Sequence, residues 1–334
     1  MSFRDKFPPL DPEIATALST WSPPDPPPTV EQIRAGGAAY SAAVIEWQKE
    51  KLPADDEYRV EDCMIPVDGG ENLVRCLIPV QSDGDPTQTF PLMVWIHGGG
   101  YCLGSVEIDD FFLRRMCVKH RVVIANVEYR LAPEHPFPVG VNDSYEGLKW
   151  AVQNSHSLNA SPVLGFIVGG CSAGANYTAS IALRARDDPF FLENPLTGQL
   201  LQIPQVVHPN ADVPERYKSV FVSMSENAYA PLLGQEDMLR FDATLNVDPN
   251  DPRFSVLLAP NHEDLPRTYL QVAGADPVRD EGLLYERVLK DAGIETKLDF
   301  YPGIPHGTHY VLPRVKLSQK FYQDFEDGIG WLLK

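Results

Sequence analysis

Phe166-Ile167-Val168, followed closely by Gly170-Cys171-Ser172-Ala173-Gly174, decides the fold. The apolar run reads as a buried strand, and the glycine-flanked serine reads as a sharp turn from that strand into a helix. A side chain at either flanking glycine would collide with neighbouring backbone, and the strained bend lifts the serine Oγ above the sheet. A serine presented in this way is a candidate nucleophile, and Ser172 is the residue at the apex.

Working outward, Pro91-Leu92-Met93-Val94-Trp95-Ile96 is a continuous apolar run of the kind a central parallel strand shows when helices cover both faces. It ends in His97-Gly98-Gly99-Gly100-Tyr101. Glycines there let backbone N–H groups point at a developing oxyanion with no Cβ in the way, so Gly98, Gly99 and Ala173 are the candidate oxyanion-hole donors. His97 is expected to order the loop. The absence of a Gly-Lys-Ser/Thr motif argues against a phosphate loop.

Further along, Thr268 to Gly274 reads as a strand with Asp276 in the loop behind it, and Lys297 to Tyr301 as a strand running into Pro305-His306-Gly307. Open parallel sheets place chemistry at the C-terminal edge of their strands. Asp276 is preferred over Asp280 and Glu281, which sit where a helix N-terminus accounts for them. His306 is preferred over His309 because it follows the strand more closely. The chain order is then Ser172, Asp276, His306.

With these motifs in this order, together with Tyr129-Arg130-Leu131-Ala132-Pro133-Glu134-His135-Pro136-Phe137-Pro138, the chain resembles the hormone-sensitive-lipase-like branch of the α/β-hydrolases, in particular its fungal and bacterial esterases. The resemblance covers about residue 57 to the C-terminus. It implies an α/β-hydrolase fold, with a mostly parallel central sheet, helices on both faces and a helical cap. It also implies a serine hydrolase for carboxylic esters that needs no cofactor. Cys171 departs from the Asp usual before the nucleophile, and Ala175 stands where the family often has Gly.

The N-terminal part differs in character, with proline-rich connectors around Phe7-Pro8-Pro9-Leu10 and residues 22–28. Asp11-Pro12-Glu13 offers a helix start, Thr29 with Gln32 a capping box, and Val30, Ile33, Tyr40, Val44 and Trp47 an apolar stripe. The resemblance favours residues 1–56 as N-terminal cap helices forming half of the cap; packing of the stripe against the main body is the alternative. Residues 57–334 form the catalytic domain with a cap insertion at about 188–250. Within that insertion a strand is expected near Gln205 to His208 and a helix near Gln235 to Leu245. Candidate substrate-binding residues are Tyr101, Met224, Tyr229 and Met238.

A hydrophobic share of 43% is enough for a sizeable core, and no apolar run approaches the twenty residues of a membrane span. The net charge of −18 makes nucleic acid and anionic membranes poor partners. Five scattered cysteines, Cys63, Cys76, Cys102, Cys117 and Cys171, read as reduced structural thiols, and no histidine or cysteine spacing suggests a metal site. The expectation is a soluble, cytoplasmic protein acting on a small-molecule ester, with homodimerisation left open. Arg130 is expected to pair with Glu134 or Asp143. The leading functional reading is a carboxylesterase for small or medium acyl groups. A tailoring hydrolase or deacetylase for one lactone, thioester, amide or acetylated metabolite, and a non-catalytic receptor on the same fold, are the alternatives.

Overall fold

Strands β1 (Tyr58–Val67) and β2 (Gly70–Pro79) pair as an antiparallel hairpin whose turn, Asp68-Gly69, uses glycine at φ +71°. They open a sheet that, in this computed structural model, continues through β3 (Leu92–Ile96), β4 (Val123–Val127), β5 (Phe166–Cys171), β6 (Gly198–Gln202), β7 (Arg267–Ala275) and β8 (Thr296–Pro305). The structure describes residues 10–22, 24, 28–36, 51–81, 85 and 87–334.

The strand order is β1-β2-β4-β3-β5-β6-β7-β8, antiparallel around β2 and parallel from β4 onward. The order reverses between β3 and β5, because β4 lies on one side of β3 and every later strand on the other. Such a switch point leaves a crevice beyond the strand ends, and both the glycine loop after β3 and the serine turn after β5 open into it.

Every residue of β3, β4 and β5 is buried, which is why these strands read as unbroken apolar runs. Alternation divides the side chains between two cores. Val94, Ile96 and Val168 face the helices Val139–Gln153 and Ala173–Asp187. Met93, Trp95 and Ile167 face Asp110–His120 and Lys316–Leu332, with Trp95 against Phe325 at 5.1 Å between ring centres.

Two expectations about domain organisation need correction. β6 lies inside the sheet, so 188–250 is not one insertion; the long excursion from the sheet begins after Gln202 and ends at Arg267. The strand expected near Gln205 to His208 instead lies at Gly198–Gln202, a run that carries two amides. In the sheet those amides are satisfied sideways: Gln199 Nε2 donates to Thr268 Oγ1 at 3.0 Å and Gln202 Nε2 to Gln271 Oε1 at 2.7 Å.

The second correction concerns the N-terminus. Helix Pro12–Ala17, capped by Asp11 through the amides of Glu13 and Ile14, packs on the main body. Ile14 is buried in the same core as Tyr301 and Val315, and the Asp11 amide donates to Gly303 O at 3.0 Å. Residues 30–36 are helical and start with the Thr29–Gln32 capping box. Tyr40, Val44 and Trp47 lie outside the described residues.

Candidate active site

Ser172 adopts φ +54°, ψ −117°, a conformation L-residues rarely hold, at the junction of β5 and the helix Ala173–Asp187. Tight packing enforces it. A Cβ on Gly174 would lie 2.1 Å from Ile96 O, and one on Gly170 2.5 Å from Gly174 O. The Ser172 amide donates to Gln202 O at 2.8 Å, which ties the turn to β6.

Three side chains distant in sequence converge here. Ser172 Oγ lies 2.7 Å from His306 Nε2, and His306 Nδ1 lies 2.7 Å from Asp276 Oδ2. Asp276 is 1% exposed, and its second oxygen accepts from the Val278 amide at 3.0 Å. The acid loop is held from the excursion: Ser223 Oγ donates to Pro277 O and Asn227 Nδ2 to Asp276 O. A hydroxyl, an imidazole and a buried carboxylate in this series can move a proton off the hydroxyl and stabilise the resulting imidazolium.

Gly98 presses on the serine turn, since a Cβ on it would meet Cys171 O at 2.9 Å and Ser172 Cβ at 3.6 Å. Among the described residues the amides of Gly98, Gly99 and Ala173 donate to no protein acceptor, and Ala173 opens a helix whose N-terminal dipole favours negative charge. His97 is fully buried, stacked on Tyr129 at 4.3 Å, with Nδ1 2.7 Å from Gly98 O. Burial pushes its pKa down to about 4, so it stays neutral and serves the loop's shape.

The competing candidates have other tasks. Asp280 accepts from the amides of Val222 and Ser223 and from Arg279, and Glu281 accepts from Val206 and Val207. His309 is buried beside Cys171, its Nε2 3.8 Å from Sγ, and burial and His306 together push its pKa down to about 3. Burial raises the Cys171 thiol well above its ordinary value, which leaves it protonated and inert. All five cysteines are free.

The substrate-binding candidates separate. Tyr101 is 2% exposed, wedged between Tyr177 and Phe254, so its expected place on a substrate wall is corrected: φ +66° turns its side chain into the core. Tyr229 is corrected in the opposite sense, since its side chain stands 98% exposed beyond the short helix Ser223–Glu226. Met224 and Met238 pack with Leu233, Phe241 and Val278, two residues from Asp276.

Sequence reasoning offered Arg130 two partners, of which the structure selects one, and missed several other supports. Arg130 pairs with Asp143, at 2.7 Å through Nη2 and 2.8 Å through Nε, whereas Glu134 takes Arg34 from the N-terminal segment. Arg34 also donates to Cys102 O and Ala132 O, fastening residues 30–36 to the end of the glycine loop. Asn176 Nδ2 donates to Gln205 O and Phe254 O. A lone Arg or Asn inside a helical pattern carries no local signal of such partners.

The fold and this site define a hydrolase. A family model described as alpha/beta hydrolase fold matches residues 93–310, and the chain belongs to that family. It is 36% identical to the versiconal hemiacetal acetate esterase of Dothistroma septosporum, over 73% of this chain and 74% of the relative. It is 32% identical to carboxylesterase NlhH of Mycobacterium tuberculosis, over 90% and 89% of the two chains. The solved structure of vibralactone cyclase superposes with a TM-score of 0.95 at 43% identity, covering 98% of this chain and 96% of that one. The protein is an enzyme of the carboxylesterase-like hydrolase class. Among the described residues no helix is long and apolar enough to cross a membrane, and no group of His, Cys, Asp and Glu is arranged to hold a metal ion.

Proposed function

We propose that this protein is a serine carboxylesterase of the hormone-sensitive-lipase-like branch, cleaving small or medium acyl esters through an acyl-enzyme. The supporting observation is the unbroken 2.7 Å contacts from Ser172 through His306 to Asp276, set beside unpartnered backbone amides. Ser172 Oγ attacks the ester carbonyl while His306 Nε2 takes its proton. The carbonyl oxygen becomes an oxyanion held by the amides of Gly98, Gly99 and Ala173, each donor worth on the order of 3 kcal/mol in such sites. Asp276 fixes the imidazole with its proton on Nδ1. Collapse of the intermediate expels the alcohol, which takes the proton from His306, and water then repeats the sequence on the acyl-serine. Met224 and Met238 supply apolar wall on the Asp276 side, and residues 203–266 with residues 30–36 act as the cap.

Hydrolysis of p-nitrophenyl acetate and longer homologues tests this reading. Turnover should vanish in Ser172→Ala, and a fluorophosphonate should add once, at Ser172, by intact mass. An alanine variant with native activity overturns the assignment; a native chain that neither turns over nor labels favours a receptor. A second reading keeps the chemistry and narrows the task to one acylated or lactone metabolite. The similarity to an esterase named for one acetate and to a cyclase named for a lactone favours it. Poor rates on all generic esters, with efficient conversion of one such metabolite, would select it.

A further inference from the structure

Three consecutive residues of the glycine loop hold positive φ: Gly99 at +126°, Gly100 at +56° and Tyr101 at +66°. Tyr101 is not glycine, so its left-handed backbone persists only because surrounding structure over-determines it. The first half of the loop is fixed from below, by the approach of Gly98 to Cys171 O and by Gly99 O accepting from the amides of Cys102 and Leu103. The second half is gripped from above by one helix, Gln235–Leu245, through two adjacent residues. The Phe241 ring covers Gly100 so closely that a Cβ there would lie 2.8 Å from it. Asp242, 2% exposed, accepts from Gln205 Nε2 at 3.2 Å through both oxygens, and Gln205 Oε1 accepts from the Tyr101 hydroxyl at 2.9 Å.

We propose that the buried relay Asp242–Gln205–Tyr101 is a positioning device that sets the oxyanion donors Gly98 and Gly99 from the Gln235–Leu245 helix. The proposal rests on the serine-hydrolase reading. None of the three side chains touches the reacting atoms; they act by holding the Tyr101 backbone, and through it the orientation of the preceding amides. The same helix carries Met238 and Phe241, packed with Val278 beside the acid loop, so both ends of the site take their geometry from it. Among the described residues the titratable groups near Asp242 include His208, whose Nε2 lies 3.9 Å from Oδ2, Glu281, Cys102 and Tyr101 itself; burial lowers the His208 pKa and raises that of Glu281.

The decisive variants are Tyr101→Phe, which removes one hydroxyl, Asp242→Ala, which removes the terminal acceptor, and Asp242→Asn, which keeps an oxygen for the Gln205 amide. Each is measured by kcat and KM on a p-nitrophenyl ester and by the inhibition constant of phenylboronic acid, whose tetrahedral serine adduct occupies the oxyanion hole. Tyr101→Phe and Asp242→Ala should lose about tenfold or more in kcat at nearly unchanged KM, with boronate affinity weakened by a similar factor. Asp242→Asn should stay close to native. A Tyr101→Phe variant with native kcat and boronate affinity overturns the proposal, even if its melting temperature falls, because a merely structural bond lowers stability alone. Tyr101→Phe decides should Asp242→Ala fail to fold. Failure of the serine-hydrolase reading is recognised separately, by a native chain that does not label with fluorophosphonate.

Discussion

Asp276→Asn separates the acid of the relay from its neighbours most sharply. The two carboxylate oxygens have fixed duties, Oδ1 toward the Val278 amide at 3.0 Å and Oδ2 toward His306 Nδ1 at 2.7 Å. An asparagine can serve only one of them as an acceptor. Turning its oxygen toward His306 would set its amino group against the Val278 N–H and leave a buried donor unmatched, at about 1–3 kcal/mol. The oxygen therefore stays on Val278, and the amino group faces His306 Nδ1. The imidazole must then carry its proton on Nε2, the nitrogen 2.7 Å from Ser172 Oγ, where a base needs a free lone pair. Wrong-tautomer substitutions in such relays cost about 10⁴ in kcat, equivalent to about 5.5 kcal/mol. Steady-state kinetics on p-nitrophenyl acetate should show that loss with KM within a few-fold of native. Asp280→Asn is the control: its partners are the Val222 and Ser223 amides and Arg279, so its effect should appear in urea denaturation before it appears in kcat. An Asp276→Asn enzyme within tenfold of native activity would refute the assignment.

Gly174→Ala should lower stability by more than the about 1–3 kcal/mol typical of overpacking, because the new Cβ would meet two backbone oxygens, Ile96 O at 2.1 Å and His97 O at 2.4 Å; an unchanged urea midpoint would contradict this packing. Arg130→Met should cost about 3 kcal/mol by stranding the buried Asp143, and adding Asp143→Leu should recover much of it in the same denaturation assay. Asp109, joined to the Trp95 indole and the Tyr310 hydroxyl, is pushed up to about 6 by burial. Its folded pKa exceeds the unfolded one, so its contribution is full below about pH 4 and falls away as pH rises to about 6, by up to about 3 kcal/mol. Asp109→Asn should therefore flatten stability against pH over that window relative to native, and a difference curve with no slope there would count against the shift.

The motifs legible in the sequence are those whose chemistry is local. Gly170 and Gly174 announce the serine turn because nothing else fits against Ile96 and His97. The runs of β3 and β5 are apolar because both faces are covered. Asp276 and His306 could be chosen over Asp280 and His309 because each follows a strand at the edge where the sheet opens.

What stayed hidden depends on partners far along the chain. The glutamines of β6 concealed a central strand because their amides are satisfied by Thr268 and Gln271, nearly seventy residues away. Tyr101 read as a pocket wall beside the glycines, whereas its positive φ and the Gln205 carbonyl draw it into the core. The sequence by itself determined the fold class and picked out the three side chains that converge at the serine turn, because turn sterics and hydrophobic period are properties of a few consecutive residues. Only the tertiary structure decided which buried carboxylate serves which donor and which helix grips the glycine loop. Those choices follow from hydrogen-bond pairing across space, for which spacing along the chain carries no signal.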